Sequence, residues 1–95
     1  MISGSIRVLV VEDHPIVRQG LVALLNVVDG VEIVGQASDG AEAVQLFEAN
    51  HPDVTLIDLR MPKMGGVEVI QKVRARHAQA RFIVLTTYDR SEELV

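Results

Sequence analysis

The chain has 95 residues, which is enough for one domain, and a formal net charge of −4. That charge provides no overall basic field for nucleic acid or for an anionic membrane. The sequence contains no cysteine, which excludes disulfide bonds and thiolate metal sites and is typical of a cytoplasmic protein. No apolar run approaches the length needed to span a bilayer, and the first residues lack the features of a signal peptide.

The first two predicted elements are a buried strand and a helix. Ile6–Val11 is almost continuously apolar and β-branched, which predicts a strand that is buried on both faces. Asp13 and Pro15 then indicate a helix start, with Asp13 near the N-cap. Apolar residues recur at helical spacing at Val17, Leu21, Leu24 and Val28. This pattern predicts a helix that buries one stripe and ends before Asp29-Gly30.

The middle of the chain repeats the alternation of strand and helix. Val31–Ala37 is a more polar apolar run, which predicts a second strand nearer the edge of the sheet. Ala41–Asn50 is predicted to be helical, and Val54–Ile57 to be the third strand. The residues predicted to face inward from the second helix are Ala43, Val44 and Phe47.

The last third of the chain continues the same order. Met61–Gly66 is predicted to be a loop, and Phe82–Leu85 a fourth strand. Between them, a third helical stripe is predicted at Val67, Ile70 and Val73. Residues 90–95 are predicted to begin a fourth helix. Strands alternating with helices predict an α/β fold, in which a doubly wound parallel sheet carries helices on both faces through right-handed crossovers.

Polar side chains follow three of the predicted strands. Glu12 and Asp13 follow the first strand, Asp58 follows the third, and Thr86 follows the fourth. In doubly wound sheets, ligands bind outside the carboxyl ends of the strands, at the point where the strand order reverses. We therefore expect these side chains to share one acidic pocket.

An acidic pocket of this kind predicts a magnesium site. Carboxylates held close together repel one another, and Mg²⁺ is a hard cation that prefers oxygen ligands. We expect Asp13 and Asp58 to ligate it directly, Glu12 directly or through water, and the backbone carbonyl of Arg60 to contribute another oxygen. A carboxylate beside the metal can then act as a nucleophile towards a phosphoryl group, and the Thr86 hydroxyl can donate to that group.

The order and spacing of these residues resemble a known family. The residues that carry the resemblance are Glu12-Asp13, Asp58, Met61-Pro62, Gly66 and Thr86. The chain resembles the receiver domain of two-component response regulators, and 13–15 and 85–89 resemble its NarL/FixJ (LuxR-type) members. The resemblance implies a flavodoxin-like fold with strand order 2-1-3-4. It also implies Mg²⁺-dependent phosphotransfer from a sensor histidine kinase to Asp58, and a conformational switch in which Thr86 moves towards the phosphoryl group.

The sequence also departs from that family. Residues 1–95 are interpreted as a receiver domain that is incomplete at its C-terminus, because the family's fifth strand, fifth helix and DNA-binding output domain have no counterpart here. The family's active-site lysine sits after the fifth strand, and neither Lys63 nor Lys72 occupies that position. The fourth strand would then lie at an exposed apolar edge, which predicts a homodimer or an oligomer with an exchanged element.

Three functions are compatible with the sequence. The leading hypothesis is a receiver module that phosphorylates itself, turns over no external substrate, and controls DNA only through an output domain outside this chain. A small phosphohydrolase with an Asp nucleophile would place a second Asp two residues later, where this chain has Arg60. A degenerate receiver that acts only in dimerisation is the third. His14 is interpreted as an exposed residue at a helix start, and His51 and His77 as surface residues.

Overall fold

A computed structural model describes residues 5–85 of the chain. In order, its elements are β1 (Ile6–Val11), α1 (Pro15–Asn26), β2 (Val31–Ala37), α2 (Gly40–Asn50), β3 (Val54–Asp58), α3 (Gly66–Arg76) and β4 (Phe82–Leu85). The helix predicted for residues 90–95 and the predicted site residue Thr86 lie outside the described residues. Within residues 5–85, no helix has the length and hydropathy of a membrane span.

The strands form a parallel sheet in the order β2-β1-β3-β4, which confirms the predicted doubly wound topology. The connection through α1 moves the chain outward from β1 to β2, and the connections through α2 and α3 move it in the opposite direction. Because such crossovers are right-handed, α1 covers one face while α2 and α3 pack together on the other. The strand order therefore reverses between β1 and β3, where this fold class binds its ligands.

The main core lies between the sheet and the pair α2 and α3. Its buried residues are Leu9, Val11, Ala37, Ala43, Phe47, Ile57, Met61, Val69 and Val73. The central position of β1 explains its continuous apolar sequence, because Val8–Val11 is buried throughout. The two inward-facing residues Ala43 and Phe47 are confirmed as buried, and Val44 packs against them.

The stripe predicted for α1 is wrong. Val17, Leu24 and Val28 are 48%, 68% and 49% exposed, and the helix ends at Asn26. None of the α1 residues is buried, because the helix packs against β1 and β2 with only part of its surface. The N-cap is His14, directly after Asp13, and no side chain caps the helix. The apolar residues surround α1 on several sides, so periodicity alone could not select the face that meets the sheet.

The stripe predicted for α3 is also shifted. Val67 is 55% exposed, whereas Val69 and Val73 are buried and Ile70 packs against the core. The rotation of α3 is fixed at its first residue, Gly66, which is buried against the end of β3. The core-facing side of the helix is therefore set by this contact, which the spacing of apolar residues did not reveal.

Candidate acidic functional site

The register of the central strands brings two carboxylates together. Val11 of β1 pairs with Ile57 of β3 in the parallel ladder, so the next residues, Glu12 and Asp58, emerge at the same edge of the sheet. Glu12 is 3% exposed and Asp58 is fully buried. Asp13 follows Glu12 and has a side chain that is 20% exposed. Two of the three carboxylates are therefore shielded almost completely from water.

The structure brings all three predicted carboxylates into one cluster and adds a histidine. Each of Glu12, Asp13, His14 and Asp58 offers a ligand atom, and these atoms lie within 4.8 Å of one another. The His14 side chain is 64% exposed, which agrees with its interpretation as an exposed residue at a helix start. Its contact with the acidic cluster was not predicted, because the sequence shows its position on the chain but not the direction of its ring.

The hydrogen bonds of the cluster come mainly from the residues that follow each strand. The Glu12 Oε2 atom accepts the backbone N–H of His14 at 3.1 Å and lies 3.1 Å from His14 Nδ1. The Asp58 Oδ1 atom accepts the backbone N–H of Arg60 at 3.0 Å. The Asp13 Oδ1 atom is buried and accepts no hydrogen bond within the described residues, although His14 Nδ1 lies 3.2 Å away.

The electrostatics of the cluster favour a bound cation. Burial raises the pKa of Glu12 above its ordinary value, and the negative charge of Asp58 acts in the same direction, against the hydrogen bonds from His14. The hydrogen bond to Glu12 and the negative charge of Asp13 raise the pKa of the His14 imidazole. Three carboxylate side chains and one buried oxygen without a donor form an oxygen-rich site, which is the type that suits a hard divalent cation.

A close backbone contact holds the loop that follows Asp58. A Cβ atom on Gly66 would lie 2.8 Å from the carbonyl oxygen of Asp58 and 2.8 Å from the Cα of Leu59, so a larger residue would displace the loop or the helix. The Gly66 N–H donates to the Leu59 carbonyl at 3.2 Å. Similarly, a Cβ on Gly40 would meet Met64 at 2.7 Å. Gly66 is therefore required for close packing between the start of α3 and the end of β3.

Of the remaining predicted site residues, the structure describes Arg60 but not Thr86. The Arg60 N–H contacts Asp58, and the role of the Arg60 carbonyl as a metal ligand stays a prediction. Leu85, the last residue of β4, pairs with Asp58 across the sheet. Thr86 lies beyond the described residues, so its role also stays a prediction.

A parallel sheet with an acidic cluster at its switch point is the arrangement of receiver domains. The chain matches the response regulator receiver domain family over residues 8–95. The chain therefore belongs to this family, which confirms the resemblance seen in the sequence. Receiver domains bind Mg²⁺ in an acidic pocket, and the cluster of Glu12, Asp13 and Asp58 fits that ion by its donor atoms and its burial.

Curated relatives connect the chain to transcriptional regulators of the NarL type. It is 42% identical over 85 residues to the "Probable transcriptional regulatory protein NarL" of Mycobacterium tuberculosis, covering 90% of this chain and 39% of that protein. It is 34% identical over 88 residues to the nitrate/nitrite response regulator protein NarL of Escherichia coli, covering 93% of this chain and 41% of that protein. The chain thus spans about two fifths of the length of these relatives.

Solved structures agree with this relationship. The signal receiver domain of a NarL response regulator from Mycobacterium tuberculosis superposes with a TM-score of 0.85 at 40% identity, covering 92% of this chain and 70% of that chain. A two-component response regulator of the LuxR family from an Aurantimonas species gives a TM-score of 0.85 at 33% identity, covering 96% of this chain and 66% of that chain. The NarL/FixJ (LuxR-type) affiliation predicted from the sequence is confirmed.

Proposed function

We propose that this chain is the phosphoacceptor module of a two-component transcriptional response regulator and that Asp58 accepts the phosphoryl group. The observation that carries the proposal is the convergence of Glu12, Asp13 and Asp58 within 4.8 Å at the switch point of a receiver fold. Asp58 lies at the end of a central strand, with its carboxylate held beside the other two. This arrangement supports a nucleophile and its cation site on adjacent strand ends.

The proposed cation is Mg²⁺. Asp13 and Asp58 would bind it directly, Glu12 directly or through water, and the Arg60 carbonyl would provide a further oxygen. When bound, Mg²⁺ neutralises charge on the transferring phosphoryl oxygens. The clustering of three carboxylates and the buried Asp13 Oδ1 atom without a hydrogen-bond donor support this set of ligands.

The residues of the chain would orient the phosphoryl transfer. A carboxylate oxygen of Asp58 attacks phosphorus, the P–N bond to the kinase histidine breaks, and the electron pair returns to the imidazole ring. The Arg60 N–H fixes the carboxylate by its bond to Asp58 Oδ1 at 3.0 Å. Gly66 keeps the following loop against the Asp58 backbone, and the Thr86 hydroxyl would donate to the transferred phosphoryl group.

The consequence of phosphorylation would be a shift between two conformations of the domain, because the phosphoryl group adds a new interaction in only one of them. In the full regulator, this shift would control homodimerisation and DNA binding by an output domain outside this chain, in the cytoplasm. The 42% identity to a probable transcriptional regulatory protein supports this role. No turnover of an external substrate is proposed.

Incubation with Mg²⁺ and a small phosphodonor tests the phosphoacceptor. Intact-mass spectrometry should detect one phosphoryl adduct on the wild type and none on Asp58→Asn. The control is Asp53→Asn, which changes a carboxylate near the start of β3 at the opposite edge of the sheet and should leave phosphorylation intact. A full adduct on Asp58→Asn, or an adduct that forms equally well in excess chelator, would contradict the proposal.

A further inference from the structure

His14 lies between two carboxylates of the acidic cluster. Its Nδ1 atom is 3.1 Å from Glu12 Oε2 and 3.2 Å from Asp13 Oδ1. The family resemblance explains the carboxylates as Mg²⁺ ligands but assigns nothing to this imidazole. His14 also belongs to the set whose ligand atoms all lie within 4.8 Å of one another, together with Asp58.

The backbone holds His14 at this position. His14 is the N-cap of α1, with φ −83° and ψ 115°, and the following residue is Pro15. A residue before proline is restricted to extended conformations, so the His14 backbone has little freedom to turn away. Its N–H also donates to Glu12 Oε2 at 3.1 Å. The His14 backbone is therefore held beside the cluster, and its ring contacts Glu12 and Asp13.

The spacing of these atoms suits two ligands of one metal ion. Ligand atoms at about 2.0–2.2 Å from a zinc ion, at angles between octahedral and tetrahedral, lie about 2.8–3.6 Å from one another. The observed distances of 3.1 and 3.2 Å from His14 Nδ1 fall in this interval. The contact with Glu12 is also a hydrogen bond, so the chemistry of the bound ion distinguishes the two roles.

Mg²⁺ prefers oxygen and keeps several waters, so it gains little from an imidazole. Imidazole is instead a favourable ligand for zinc, cobalt, nickel and copper ions. We propose that His14 is a nitrogen ligand that lets the acidic site bind Zn²⁺ or Co²⁺ in preference to Mg²⁺. The inference rests on the proposed function of the site. A transition-metal ion held there by His14 would compete with Mg²⁺ and reduce phosphotransfer to Asp58.

Metal titration calorimetry tests the role of His14 directly. The protein would carry His51→Gln and His77→Gln, because those substitutions remove the other imidazoles of the chain. In this background, His14→Gln should weaken binding of Zn²⁺ by about tenfold or more, while the affinity for Mg²⁺ changes by less than about threefold. Asp13→Ala should weaken both ions. The absorption of bound Co²⁺ should change on His14→Gln, which provides a readout independent of phosphorylation.

The outcomes separate this inference from the proposed function. Equal affinity of the His14→Gln protein and its parent for Zn²⁺ would overturn the inference, as would an unchanged Co²⁺ spectrum. Mg²⁺-dependent phosphorylation of Asp58 would still support the receiver function in that case. Conversely, Zn²⁺ binding that depends on His14 in a protein that cannot be phosphorylated would support the metal site and contradict the proposed function. Circular dichroism melting of each variant verifies that it is folded before titration.

Discussion

The two edges of the sheet differ in how their charged side chains are paired. The strands end at the carboxyl edge and begin at the amino edge. At the carboxyl edge, Glu12, Asp13 and Asp58 converge, and His14 is the one side chain in the 4.8 Å cluster that can carry positive charge. At the amino edge, Asp53 and Glu48 lie on separate elements and each has its own donor. The first edge concentrates negative charge, whereas the second neutralises it locally.

The amino edge shows how a carboxylate is satisfied for stability. Asp53 Oδ2 accepts the backbone N–H of Arg7 at 2.8 Å. Glu48 Oε2 lies 2.9 Å from His77 Nε2, a contact that joins α2 to α3, and 3.9 Å from Arg76 Nε. The hydrogen bond with His77 lowers the pKa of Glu48. Such pairing favours the charged form, so these carboxylates support the fold.

The difference indicates where the fold gives up stability for function. Burial raises the pKa of Glu12, so its charged form is disfavoured in the folded protein, while the charged form of Glu48 is favoured. A chain under no functional constraint would replace or separate the carboxylates at the carboxyl edge. The proposed Mg²⁺ would offset this cost by completing the site with positive charge.

The largest expected effect is that of the cation itself. Mg²⁺ at about 100 times its dissociation constant should raise the free energy of unfolding by about 2.7 kcal/mol, because it binds the folded cluster and not the unfolded chain. Asp13→Ala should lose most of this gain. Urea unfolding with and without Mg²⁺ measures it. If Mg²⁺ stabilised the wild type and Asp13→Ala equally, the carboxyl edge would not be the cation site, and the contrast with the amino edge would fail.

Packing at the carboxyl edge should produce the next largest effect. Gly66→Ala should lower the free energy of unfolding by about 1–3 kcal/mol, because the new Cβ meets the backbone of Asp58 and Leu59 at 2.8 Å. The matched control is Gly20→Ala within α1, where a Cβ meets nothing within 4 Å. The control should gain up to about 1 kcal/mol, since alanine is the better helix former. Thermal melting of both variants distinguishes close packing from a general intolerance of alanine.

Neutralising a carboxylate at the carboxyl edge should stabilise the metal-free protein. Glu12→Gln should raise the free energy of unfolding at neutral pH, because burial penalises the charged carboxylate more than the neutral amide. Because the folded-state pKa of Glu12 is raised, its cost is fully present above that pKa and disappears as the pH falls below the ordinary value of 4.5. Urea titrations in chelator at about pH 7 and about pH 4 test this dependence. A loss of stability at neutral pH would show that the bonds from His14 outweigh burial.

The same substitution at the amino edge should have the opposite sign and the smallest size. Glu48→Gln should lower the unfolding midpoint slightly at neutral pH, because the amide loses its charge-assisted bond with His77. The folded-state pKa of Glu48 is lowered, so its contribution is present above the ordinary value of 4.5 and is lost as the pH falls through the folded value. The two variants should therefore diverge at neutral pH and converge in acid. Parallel behaviour would refute the contrast between the edges.

The strands and the location of the site were predictable from sequence. The bounds of β1, β2 and β4 agree with the prediction, because apolar β-branched runs between turn residues leave few alternatives. The meeting of Glu12 with Asp58 was predictable because parallel strands bring their carboxyl ends to one edge. These inferences depend on the order of elements and not on details of side-chain packing.

Other features depended on three-dimensional contacts that periodicity does not encode. The core-facing side of α3 is determined by Gly66 at the end of β3, and α1 is apolar on more than one side. The pairing of His77 with Glu48 joins residues 29 positions apart on different helices. The contact of His14 with Asp13 depends on the direction of one ring. Each of these requires the packed fold to be known first.

The main core lies on one face of the sheet. The residues of the acidic site therefore belong to parts of the fold that differ in local stability. Asp58 ends a strand whose neighbours belong to the main core, whereas His14 begins α1, which has no buried residue. Amides in α1 should therefore exchange with solvent through smaller openings than those in α3. A cation that binds Asp58 and Asp13 connects the slowly exchanging part to the rapidly exchanging one. Cation binding would then slow the hydrogen exchange of amides along α1, including amides that lie far from any ligand atom.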